Sequence, residues 1–199
     1  MRSAVMLSLA LTAGVLFFSA PATAQLFRYE MIDRDTGRSI GPIGRGGLFG
    51  SPVRRTTVSF DGRRYSPGSI VINTAERRLY LVLDERRALQ YGIGVGRDGF
   101  RWSGTHKVSA KREWPGWTPP PQMRKRQPGL PAYMPGGPDN PLGARAIYLG
   151  STLYRIHGSN EPETIGQAVS SGCFRMTNDD VIDLYDRVRV GATVHVYLK

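Results

Sequence analysis

The chain has 199 residues, 40% hydrophobic and 22% charged, enough to bury one sizeable core and hardly two. Its 24 Gly, 14 Pro and 10% aromatic residues exclude a disordered chain and a helical bundle, and predict many short strands. One Cys and three His exclude a disulfide framework and argue against a zinc site.

In chain order, Arg2, the apolar run of residues 4–18 and the small residues of Ala22-Thr23-Ala24 have the layout of a secretory signal over residues 1–24. The run contains Ser8, Thr12 and Gly14 and is shorter than the roughly 20 apolar residues of a spanning helix. No Cys near the cleavage position offers a lipid attachment point. A mature protein that is soluble outside the cytoplasm, with no stable membrane anchor, is therefore expected. The net charge of +11 would suit a nucleic-acid partner, but export places it away from one. The basic residues also come as scattered doublets, such as Arg54-Arg55, Arg77-Arg78 and Arg86-Arg87, and not as a helical stripe. No nucleic-acid partner is expected; the charge suits solvated turns and long-range attraction to an anionic envelope polymer.

Residues 25–65 are rich in Gly, Arg and Ser without a sustained period and read as a flexible linker. Strand patterns begin at Ile70-Val71-Ile72, continue over residues 79–83 and 88–95, and are separated by polar turns, which predicts a β-meander. Gly92, Gly94 and Gly96 have a GxGxG spacing, but Arg97-Asp98-Gly99 follows, a turn and not the helix that would hold a pyrophosphate. Nine of the 14 prolines fall in residues 115–141, a density that a strand ladder does not tolerate. That segment reads as a long loop, either a lid with groove-covering aromatics or a flap packing Trp114 and Trp117 into a side cluster. Strands resume at residues 146–149 and 153–157. Thr177, with Asp180 three residues on, predicts a capped helix carrying Val181, Leu184, Tyr185 and Val188 on one face. Residues 193–198 alternate as a half-buried strand.

Chemistry concentrates between His157 and Arg175. Cys173 stands in Ser170-Ser171-Gly172-Cys173-Phe174-Arg175-Met176, and a free thiol in an exported protein is an oxidation liability. Gly172 before it and a helix soon after suit an exposed nucleophile, and Arg175 adds charge that lowers a thiol pKa or holds a substrate carboxylate. Such a nucleophile needs a base near neutrality, which His106, His157 or His195 could supply. His157 is preferred because it ends a strand beside Gly158, where a backbone carbonyl could orient its ring. His195 and His106 read as exposed or hydrogen-bonded strand residues.

The pair His157-Gly158, the run Ser171-Gly172-Cys173-Phe174-Arg175-Met176, the capped helix and the closing Gly191-Ala192-Thr193-Val194 strand resemble the catalytic domain of the bacterial L,D-transpeptidases, also called YkuD-like. The resemblance covers residues 66–199. It implies a mainly β, β-sandwich-like fold of mixed sheets with a few short helices and the long Pro-rich loop. It further implies a mechanism that needs no metal or organic cofactor, with Cys173 as nucleophile, His157 as base, and Arg175 as a structural or carboxylate-binding residue. Gly158, Ser159, Ser171 and Gly172 become supporting residues, with backbone N–H groups around Gly172 and Cys173 holding the oxyanion. Many relatives carry a second His where this chain has Ser171, whose hydroxyl could supply a supporting hydrogen bond. The implied partners are peptidoglycan stem peptides, with a second stem or an envelope protein as amine acceptor. A secreted Cys peptidase or amidase, such as an L,D-carboxypeptidase, and a non-catalytic wall-binding module are the other readings.

Overall fold

The structure, a computed structural model, describes residues 54–199 and the backbone of residues 30–32 and 39–42; the expected signal and most of the expected linker lie outside the described residues. Strands β1 (Glu30–Ile32) and β2 (Ser39–Pro42) pair antiparallel. The strands that follow are β3 (Thr56–Ser59), β4 (Ile70–Asn73), β5 (Arg78–Val82), β6 (Arg87–Gly92), β7 (Val95–Gly96) and β8 (Gly104–Glu113). Helix α1 (Pro121–Arg126) precedes β9 (Arg145–Leu149), β10 (Arg155–His157), β11 (Ala168–Ser170) and β12 (Phe174–Arg175). Helix α2 (Asn178–Arg187) and β13 (Thr193–Tyr197) close the chain.

Nine strands form one sheet in the order β12-β10-β9-β8-β13-β4-β5-β6-β3, and β7 pairs with β11 in a small parallel ribbon. The pairings β13–β4 and β10–β12 are parallel and the others in the large sheet antiparallel. Strand β8 joins two halves: Gly104 to Lys107 pair with β13, and Val108 to Glu113 pair with β9. Its register shifts between Val108 and Ala110, and such an irregularity bends a strand. The halves consequently share one core, with Ile70, Ile72, Leu79, Leu81 and Val194 from one and Ile147, Leu149, Ile156 and Phe174 from the other. This is the expected sandwich-like, mainly β architecture with mixed sheets and few helices.

Local chemistry explains the elements. The β4–β5 hairpin turns where Asn73 Oδ1 accepts the N–H groups of Ala75 and Glu76, an Asx turn. Helix α2 starts where Thr177 Oγ1 accepts the Asp180 N–H at 3.2 Å, with Asp179 and Asp180 in its first turn and Arg187 in its last, both favourable to the helix dipole. Val181, Leu184 and Val188 are buried and Tyr185 packs against the core, as the sequence spacing predicts.

Three expectations need correction. The stretch assigned to the linker does not run to residue 65, because Thr56–Ser59 pairs with β6 and completes the sheet edge. The Pro-rich segment contains a short exposed helix, α1, begun by Pro121 at a position where a missing N–H costs nothing. It is also pinned: Trp117 and Met134 exchange N–H···O bonds of 2.8 Å, and buried Asn140 bonds the Met134 and Pro135 carbonyls. Trp114 remains 45% exposed, so the two-tryptophan side cluster is not formed. The third is β8, the ten-residue strand between the halves, which only the reading of His106 as a strand residue anticipates. The GxGxG glycines serve packing: a Cβ on Gly94 would meet the Thr164 carbonyl at 3.0 Å, and one on Gly96 the Phe100 carbonyl at 2.6 Å.

Candidate active site

The site is built on the parallel β10–β12 pair, in which Ile156 lies opposite Phe174 and His157 opposite Arg175. Arg155 and Cys173 each come one residue before the Ile156–Phe174 rung. Side chains alternate faces along each strand. Ile156 and Phe174 enter the core, and Arg155, His157, Cys173 and Arg175 share the other face.

His157 is 4% exposed. Its Nδ1 lies 2.6 Å from the Gly158 carbonyl, which accepts when Nδ1 carries the proton and so leaves Nε2 as the basic nitrogen. Burial first, then the positive charges of Arg175 and Arg155, push its pKa down to about 3. At neutral pH the ring is an uncharged base.

Cys173 is a free, half-exposed cysteine. Its Sγ lies 3.8 Å from the Leu153 carbonyl. Protein packed around the sulfur pushes the thiol pKa up, while the charges of Arg155 and Arg175 oppose that rise. The expected contribution of Arg175 is present, and Arg155, which the sequence reading did not single out, acts more strongly on the same atom.

The turn before Cys173 is locked by Ser170, whose Oγ donates to the Cys173 carbonyl at 2.6 Å and accepts the Gly172 N–H at 3.1 Å. The Gly172 N–H is thereby engaged, which corrects its expected role as an oxyanion donor. Gly172 has φ +109, and a Cβ there would stand 2.6 Å from Tyr154 Cε1, so the turn requires glycine. Its carbonyl accepts Trp102 Nε1–H at 2.8 Å, and Trp102 stacks on Tyr154 with centroids 4.4 Å apart. Ser171 Oγ receives a 3.4 Å hydrogen bond from Arg97 Nη1.

Arg175 makes an ion pair with Glu161 at 3.3 Å, the two side chains being 15% and 19% exposed, and its backbone exchanges two 2.9 Å bonds with Gly94. Ser159 is buried, and its Oγ accepts the Glu161 N–H at 2.9 Å. It shapes the loop that presents Glu161 to Arg175. Gly158 has no room for a side chain: a Cβ would collide with Asn178 Oδ1, which holds the Ala144 N–H. His195 is bonded to Thr105 Oγ1 at 3.3 Å on β13, and His106 sets its ring edge against Trp102. Neither belongs to the β10–β12 pair. Among the described residues, no three His, Cys, Asp or Glu side chains gather as metal ligands would.

This thiol, neutral imidazole and guanidinium pair can form an acyl-enzyme and move a proton at the imidazole. The catalytic-domain model of the L,D-transpeptidases (YkuD) matches residues 67–196. The chain is 45% identical over 136 residues to the probable L,D-transpeptidase ErfK/SrfK of Escherichia coli K12, covering 64% of this chain and 43% of that protein. It is 42% identical over 134 residues to the probable L,D-transpeptidase YbiS of the same strain, covering 63% and 43%. The aligned part thus spans under half the length of these relatives. Among solved structures, a Brucella melitensis protein described as a probable carnitine operon oxidoreductase is 46% identical, with a TM-score of 0.51 over 75% of this chain and 94% of that one. An L,D-transpeptidase of Mycobacterium smegmatis, 19% identical, shares the fold at a TM-score of 0.51 over 64% and 57%. From the family match over residues 67–196, the chain belongs to the L,D-transpeptidase catalytic-domain family.

Proposed function

We propose that the protein is an exported peptidoglycan L,D-transpeptidase acting in the periplasm or cell wall. The observation that carries this reading is the β10–β12 register, which gathers His157, Cys173, Arg155 and Arg175 on one sheet face. Cys173 gives its S–H proton to His157 Nε2 as its Sγ attacks the carbonyl of the L-centre of diaminopimelate in a tetrapeptide stem and forms a C–S bond. The Cys173 N–H, with Ser171 in support, donates to the oxyanion, while the Gly172 N–H stays with Ser170. Collapse of the tetrahedral adduct breaks the peptide C–N bond, and protonation from the His157 ring releases D-alanine.

A thioester and a neutral imidazole remain. An amine, from a second stem or an envelope protein, then attacks; His157 takes its proton and the C–S bond breaks. Arg175 serves chiefly to hold the nucleophile strand, since Glu161 already occupies its guanidinium. The Pro-rich loop shields the thioester from water: its base is tied to the His157 loop by a 3.0 Å bond from Asn160 Nδ2 to the Asp139 carbonyl. Acyl transfer from one purified disaccharide-tetrapeptide to another tests this. A cross-linked dimer with released D-alanine is the expected product, and a tripeptide stem alone would identify a hydrolase instead.

A further inference from the structure

We infer that Arg155 is the counter-charge of the Cys173 thiolate, a role that in many thiol enzymes falls to an imidazolium. The inference rests on Cys173 being the nucleophile, and it adds the residue that sustains negative charge on its sulfur.

Three observations converge. The parallel register of Ile156 with Phe174 leaves Arg155 and Cys173 each one residue before that rung. The guanidinium is held there by its own surroundings: Nη1 donates to the Leu153 carbonyl at 3.2 Å, and Cζ lies 5.1 Å from the centre of the Tyr148 ring. The Leu153 carbonyl is also the one nearest Cys173 Sγ, so one acceptor anchors both side chains. Of the groups around the sulfur, the Arg155 charge most opposes the rise in thiol pKa.

The charge balance of the pocket points the same way. Two guanidiniums, Arg155 and Arg175, act on His157 and on Cys173. They favour negative charge on the sulfur, against the burial that raises the thiol pKa overall. Transfer of the S–H proton to His157 Nε2 as attack begins leaves one negative sulfur near the Arg155 cation, which offsets the desolvation of that charge. The Arg155 guanidinium thus acts on the reacting atom through its charge, and on this reading it is a positioning residue.

The test is the pH dependence of Cys173 alkylation by iodoacetamide in the free protein, followed by intact mass. It needs no peptidoglycan substrate, so it is independent of whether the protein transfers stems. Arg155→Met is expected to raise the alkylation midpoint by about one pH unit, the low end of the effect of an adjacent opposite charge. Arg155→Lys is expected to stay within a few tenths of wild type, and it serves as the test if the Met variant does not fold. A folded Met variant with the wild-type midpoint would overturn the inference, even if its transfer activity fell, because the guanidinium would then act on substrate. A folded Lys variant whose midpoint rose by a full unit would overturn it too, since retained charge would not have retained the effect.

Discussion

His157 and Arg175 stand opposite one another in the parallel β10–β12 pair, so a buried imidazole is the strand neighbour of a guanidinium whose own carboxylate partner is Glu161. His157 is oriented by the Gly158 carbonyl instead. That choice keeps the ring neutral and makes it a base at any physiological pH.

The pH dependence follows from the sign of the shift. The folded-state pKa of His157 lies near 3, below the ordinary 6.5, so between these values the unfolded chain binds the extra proton. This contribution to stability is fully present above about pH 6.5 and is lost as pH falls toward 3, at about 1.4 kcal/mol per unit. Wild type is expected to lose more melting temperature than His157→Gln between pH 7 and 4.5. Equal losses would show that the ring charges freely in the folded state.

The same neutrality shapes the rate. kcat/KM for stem transfer is expected to show no acid limb near pH 6.5, and His157→Gln to lower it by at least ~10²-fold, as loss of a general base does. His195→Gln, on β13 and bonded to Thr105, is expected to leave it within about twofold. Equal effects from the two variants would assign the base to the wrong imidazole.

The Arg175–Glu161 pair braces the nucleophile strand. Glu161→Gln leaves the largely buried Arg175 cation uncompensated and is expected to lower stability by roughly 2 kcal/mol or more, read as a fall in melting temperature. Arg175→Lys keeps the charge but loses the planar fork and is expected to lower both melting temperature and Cys173 alkylation. A Lys variant with wild-type melting and a large loss of activity would move Arg175 from bracing to substrate binding.

Turn geometry before Cys173 is the next target. Gly172→Ala adds a Cβ at φ +109 and 2.6 Å from Tyr154 Cε1, and is expected to destabilise the protein by about 2 kcal/mol or more. Gly137→Ala, whose Cβ meets nothing within 4 Å, is the control and is expected to melt like wild type. Similar melting of the two variants would mean that the turn adapts.

Trp102 secures that turn from outside through its Nε1–H bond to the Gly172 carbonyl. Trp102→Phe preserves an aromatic against Tyr154 but leaves the carbonyl without this donor, at a cost of about 1–2 kcal/mol. Transfer activity should fall more steeply than melting temperature. Unchanged activity would show that Ser170 alone fixes the loop.

The fold was readable where burial imposes a period. Ile70, Ile72, Leu79 and Leu81 alternate into the core on β4 and β5, and Val181, Leu184 and Val188 recur at helical spacing on α2. Strand β8 was hard to read because Val108 is its single fully buried residue, while Lys107, Ser109, Lys111 and Arg112 interrupt any apolar alternation. Arg155 escaped notice for a related reason. Among so many arginines its identity carried no signal, and only the non-local register with β12 brings it to Cys173. Ser170 is equally a product of tertiary geometry, its hydroxyl bridging two backbone groups of the turn.

The central claim, that Cys173 carries the acyl group, is tested most directly by intact mass of the protein after brief incubation with purified disaccharide-tetrapeptide. The account predicts an adduct equal to the disaccharide-tripeptide acyl group, labile to hydroxylamine as a thioester is, in wild type, and no adduct in a Cys173→Ala variant that melts like wild type. The same adduct in the Ala variant, or stem transfer by that variant, would contradict it.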